Sequence, residues 1–166
     1  MNISFTSTLQ KIESSHAFEN FKKQHPDADL CAGFFVLNYE GSSQQQLDYC
    51  LENGKIFTFI LNNEITIKEA EMIEGKKEKL EKLNKEIKID LERIEEIIKK
   101  KMQEKNISSK INKIIAILQK YKDNQIWNLN CMLKNMEILQ IHVNSENGEI
   151  LKFEKRNMFD FIKRVK

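Results

Sequence analysis

Apolar and polar residues alternate in two consecutive stretches of this chain, and the alternation then returns about 82 residues further on. Leu47, Tyr49 and Leu51, followed by Phe57, Phe59 and Leu61, keep step with Leu129, Cys131 and Leu133, followed by Leu139, Ile141 and Val143. A period of two is the mark of a half-buried strand. Its survival through two strands and the turn between them predicts an internal repeat whose unit is a sheet-forming hairpin. The first copy spans Val36–Glu64 and the second Ile117–Glu146.

The rest of the pattern fills in around these hairpins. Ser7 to Gln24 carries Leu9, Ile12, Ala17, Phe18 and Phe21 at helical spacing, as one helix or as two divided near Ser14-Ser15. His25-Pro26-Asp27 ends it, because the residue before proline is driven from the α region. Strands are predicted at Leu30–Tyr39, Gln44–Leu51 and Lys55–Leu61, with Asn53-Gly54 as a hairpin turn. Thr66-Ile67-Lys68-Glu69 has the form of a capping box and predicts the start of a helix.

From Lys76 to Lys105 the chain is dense in Lys and Glu, with an apolar stripe at Leu80, Leu83, Ile87, Leu91, Ile94, Ile98 and Met102. It reads as one long helix or as two broken around Asn84–Asp90, with Asp90 as the second N-cap. Further strands follow at Ile111–Gln119, Ile126–Leu133, Glu137–Asn144 and Glu149–Glu154, then a closing helix from Asn157 to Val165. The fold class expected is α+β: two repeated units, each a helix on an antiparallel β-meander, joined by the charged helical segment. The boundaries drawn are 1–75 for the N-terminal half and 76–166 for the C-terminal half.

The second half also resembles a known family. Trp127-Asn128-Leu129, followed by Ile141-His142-Val143-Asn144-Ser145-Glu146-Asn147-Gly148-Glu149-Ile150-Leu151, is similar to the PepSY domain. That family combines a helix, a strand bearing an aromatic, and a last hairpin of the form apolar-x-apolar-Asp-x-x-x-Gly-x-apolar. Ile89-Asp90-Leu91-Glu92 resembles its helix start. This chain departs from the pattern with Asn144 in place of the aspartate, and with Ile94 and Ile97 where alanines are usual. Asn62-Asn63 has no glycine after it, so the first half would be a degenerate copy. The resemblance implies a small non-catalytic α+β module of the kind found in propeptides, metallopeptidase inhibitors and sensor or envelope proteins, with no catalytic residues to carry over.

Composition narrows the function classes. At 166 residues, 40% hydrophobic with ten Phe, the chain can build a core. A net charge of +2 gives no general reason to expect nucleic acid, and the Lys–Glu run interleaves at i to i+4, as in Glu78-Lys82 and Glu81-Lys85, like a solvated helix face. No apolar run approaches the ~18 residues of a membrane span, and the N-terminus lacks a signal-peptide pattern, so a cytoplasmic location is expected. Cys31, Cys50 and Cys131 are odd in number and unpaired in spacing. With His16, His25 and His142 they show no close-ligand pattern, so neither metal nor other cofactor is expected. No nucleophile elbow or phosphate-binding glycine loop occurs, and no catalytic residue is assigned. Trp127 and the Phe cluster read as core. The function expected is a non-catalytic intracellular binding or regulatory module that recognises a protein or peptide through its sheets or the cleft between halves. The alternative is a structural protein that dimerises through residues 76–105.

Overall fold

The computed structural model describes residues 3–70 and 80–159. Its first elements are α1 (Phe5–Glu13), α2 (His16–Gln24) and the strands β1 (Asp29–Asn38), β2 (Gln44–Cys50), β3 (Ile56–Leu61) and β4 (Ile65–Ala70). After residue 90 come α3 (Leu91–Glu104), β5 (Ile111–Tyr121), β6 (Asn124–Leu133), β7 (Glu137–Asn144) and β8 (Ile150–Asn157). The strands form one eight-stranded antiparallel sheet in the order β4-β3-β2-β1-β5-β6-β7-β8. Each group of four is a meander running outward from the central β1–β5 pair, whose register extends from Gly33 opposite Leu118 to Asn38 opposite Lys113. The fold is α+β, with α1, α2 and α3 on one face of this sheet.

Strand parity decides what those helices cover. Leu47, Tyr49, Phe59, Trp127, Leu129, Leu139 and Ile141 are buried, as the alternation predicts, and share one core with Phe5, Ile12 and Phe21 of the first two helices. Ser15 begins α2 by accepting from the Phe18 amide, so the Ser7–Gln24 stretch is two helices. Gly33 lets α1 approach the sheet: a Cβ there would sit 3.0 Å from the Phe35 ring and 3.6 Å from that of Phe5. Gly54 holds the β2–β3 turn at φ 88°, which favours glycine.

Two helical expectations are corrected. Thr66–Glu69 lies in β4, where Ile67 pairs with Phe59 and Thr66 with Ile60. The capping box would satisfy two amides at a helix start, whereas the free edge of β3 offers a ladder six residues long. The second correction is confined to residues 80–83, since the break expected around residues 84–90 is present. Residues 80–90 contain no helix, and the part of the charged run from 71 to 79 lies outside the described residues. Hydrogen bonds tie this stretch to the sheet instead: Leu83 N to Leu30 O at 2.8 Å and Ile89 N to Ser145 O at 3.0 Å. Asn84 and Gln125 add a reciprocal pair at 2.7 and 3.0 Å.

Helix α3 does begin where Asp90 predicts. Leu91, Ile94, Ile98 and Met102 face the sheet of their own chain and are buried, while Leu80 is 46% exposed. At the other end, β8 runs on to Asn157, which pairs with Glu137. The closing helix expected from Asn157 to Val165 begins at Met158 and Phe159, which are helical, with Asn157 Oδ1 accepting from the Phe159 amide at 3.0 Å; the rest lies outside the described residues.

Candidate functional site

The sheet has two faces, and the helices use one. On the other, a single cross-strand row traverses all eight strands: Thr66, Ile60, Gln46, Phe34, Ile117, Asn128, His142 and Lys152 are successive register partners. A parallel row runs Gln44, Val36, Ile115, Asn130, Gln140 and Glu154. The centre of this face is therefore apolar, where β1 and β5 present Phe34, Val36, Ile115 and Ile117. Both flanks are largely polar, Ile60 of β3 being the apolar exception in the long row. Phe34, Ile115 and Ile117 are half-buried by their strand neighbours and belong to no part of the core beneath the helices. Among the described residues, no helix covers them.

Two atoms in the long row have unmet bonding capacity. Asn128 Oδ1 and His142 Nε2 are themselves buried yet have no hydrogen-bond partner among the described residues. They belong to directly opposed residues of β6 and β7. Burial, with the Lys152 ammonium nearby, lowers the His142 pKa, although Glu154 opposes the shift. The imidazole is thus neutral near pH 7, one ring nitrogen a donor and the other an acceptor. Unsatisfied buried polar atoms cost about 1–3 kcal/mol each, so a group that supplied the missing bonds would recover part of that cost.

The opposite flank carries Asp48, opposed to Thr58. Burial raises its pKa, while the Thr58 hydroxyl, donating to Asp48 Oδ1 at 2.7 Å, acts the other way. From β2 to β7 is four strand spacings, about 19 Å at ~4.8 Å each. Asp48 and His142 therefore cannot act on one reacting atom.

The other chemistry-bearing residues disperse. Cys31, Cys50 and Cys131 are buried and form no disulfide, and burial pushes the Cys131 thiol up to about 12, leaving a weak nucleophile. Tyr49, under the helices, donates to Glu13 at 2.8 Å, and burial first, then that carboxylate, raises its pKa. His16 is exposed near Glu19 at 3.7 Å. His25 packs its ring 4.9 Å from that of Phe57, and Asp27 accepts the Glu52 amide at 2.9 Å. Trp127 is core, its indole N–H donating to Ile89 O at 2.8 Å. Among the described residues no three metal-ligating side chains converge. No helix among them is long and apolar enough to cross a membrane.

The sequence placed His142 on the strand face away from Ile141 and Val143, where it stands, but its juxtaposition with Asn128 was not foreseen. The signal available was parity: Asn128, Asn130, Gln140 and His142 all alternate with core positions.

No family model matches the chain, and no curated protein is similar to it. Among solved structures, a candidate lipoprotein from Clostridium difficile 630 superposes with a TM-score of 0.60 at 19% identity, covering 84% of this chain and 90% of its own. At that identity the likeness establishes a shared fold, that of a small α+β domain.

Proposed function

We propose that this chain is a non-catalytic binding module that recognises a protein or peptide segment on the sheet face opposite its helices. The observation that carries the reading is the row through Phe34, Ile117, Asn128 and His142. An apolar centre of aromatic and β-branched side chains offers area to bury, and the half-buried polar side chains of Asn128, Asn130, Gln140 and His142 beside it offer hydrogen-bonding groups. That combination suits a partner with apolar anchors and polar groups of its own. The dispersal of the titratable groups supports the non-catalytic part of the reading.

The same proposal takes the two halves as tandem PepSY-like units, the first degenerate. Its supports are the outward meanders on either side of the β1–β5 pair and the helices that precede each. A regulatory role in the cytoplasm remains our preferred setting. The neighbour's description as a candidate lipoprotein raises a membrane-surface setting, in which the same face would serve. Self-association through residues 76–105 is disfavoured, since the α3 part of the apolar stripe faces its own sheet.

Peptides selected from a random display library on the wild-type protein test this. They should lose binding to Phe34→Asp and Ile117→Asp proteins, with Ile67→Asp, exposed on the opposite face of the sheet, as the control. Selected peptides indifferent to both substitutions, with the variants folded, would refute the face assignment.

A further inference from the structure

Away from the open face, a cavity of about 460 Å³ lies between the end of β1, the C-terminus of α3 and the loop entering β5. Its lining is divided by chemistry. Met102, Ile107, Ile111 and the Tyr39 ring supply apolar surface, while Lys99, Lys110 and Lys134 set three ammonium groups against the one carboxylate of Glu40. The Tyr39 hydroxyl donates to Glu95 at 2.7 Å, which fixes the ring as part of the wall.

The acid in this lining is already engaged. Lys134 Nζ lies 3.3 Å from Glu40. Asn112, turned so that its amide group faces the carboxylate, donates to Glu40 at 2.8 and 3.1 Å. Lys99 and Lys110 have no carboxylate partner among the described residues. A helix C-terminus ordinarily disfavours an anion through its free carbonyls, but three of those in the last turn of α3 are occupied. Lys101, Met102 and Gln103 carbonyls accept from the Lys105, Ile107 and Asn106 amides at 3.0, 2.8 and 3.1 Å. The lysines therefore set the sign of the cavity.

We infer that this cavity binds a small amphipathic anion, a carboxylate on an apolar body. At ~30 Å³ per water-sized group the space holds about ten to fifteen non-hydrogen atoms, within the usual range of small-molecule sites. An anion without a body would leave the apolar lining unfilled, and a neutral body would forgo the attraction of Lys99 and Lys110, which are exposed and hydrated. Octanoate meets both requirements. The inference stands on the lysines and the apolar lining, independently of the peptide-binding reading.

Amide-resolved NMR titration of the full chain with octanoate, octanol and acetate tests it. Octanoate should give saturable shifts at Tyr39, Met102, Ile107 and Ser109. Octanol should bind about tenfold more weakly or worse, the size of two solvent-screened charge contacts, and acetate should not saturate. Lys99→Gln with Lys110→Gln should weaken octanoate by a similar factor while leaving the spectrum folded. Octanol binding as tightly as octanoate, shifts confined to other surfaces, or undiminished affinity in a folded double variant would each overturn the inference. The octanol comparison needs no variant, so it decides even if the double substitution disturbs folding.

Discussion

Ile141 and Ile117 are the same residue type in the same sheet on opposite faces, so truncating each to alanine measures what the helices contribute. Ile141 in β7 is fully buried in the core. Ile141→Ala deletes three carbon groups, which at ~0.8 kcal/mol per buried methylene removes about 2.4 kcal/mol of transfer energy. The close packing under the helices adds a cavity term, giving a loss of about 2–5 kcal/mol. Ile117 is half-buried in the open face, where roughly half of that transfer term applies and no enclosed cavity forms, so Ile117→Ala should cost about 1 kcal/mol. Urea unfolding followed by the fluorescence of the single tryptophan reads both, because Trp127 is fully buried. An unchanged slope of free energy against urea would confirm that each substitution acts on stability alone. Equal losses at the two sites, or a larger one at Ile117, would refute the reasoning: the face taken as open would then be covered and could not be the binding surface.

Three further outcomes follow from the packing and charges. Replacing Leu91 and Ile98 together with Glu should unfold the protein at every concentration, since both side chains lie fully buried against its own sheet; sedimentation showing a folded monomer in place of a wild-type dimer would instead make the stripe an interface between chains. Asp90→Ala should cost about 2–4 kcal/mol in urea unfolding, because this carboxylate caps α3 through the Leu91 amide at 2.7 Å and also accepts from Phe5 N, Thr6 N and Thr6 Oγ1 at 2.7, 3.1 and 2.9 Å; a loss below 0.5 kcal/mol would show that the two helix starts do not depend on it. Burial raises the Asp48 pKa in the folded state, so folding favours its protonated form, and the stability it contributes is present below the unfolded pKa and lost as pH rises through the folded one. Asp48→Asn should therefore gain stability relative to wild type between acid and neutral pH, and a relative loss over that range would reverse the assigned sign.

How far the sequence could be read depended on the distance over which each feature is encoded. The core face was legible at Leu47, Phe59, Leu129 and Ile141, because a strand's period of two records burial in neighbouring residues. Asp90 was legible for the same reason, since a helix cap acts on amides a few residues away. The end of the first half was not. Thr66–Glu69 carries a local helix signal, and only the availability of the β3 edge makes Ile65 and Ile67 part of a strand. The break at residues 84–90 was legible, but residues 80–83 were misread as helix because their anchor is remote: Leu83 meets Leu30. The open face combines both situations. Leu30–Tyr39 is apolar on both sides of the strand, so parity cannot assign Phe34 to either face, and its meeting with Ile117 depends on β1 pairing with β5. Asn128 and His142 become neighbours only through the β6–β7 register, and Tyr39 shares a cavity with Lys110 only because the two meanders join along one central pair. The core is thus specified strand by strand, whereas both proposed binding surfaces arise where strands distant in sequence are laid side by side. A shift of one residue between β1 and β5 would turn Phe34 toward the helices and dismantle the open face while leaving every local pattern unchanged.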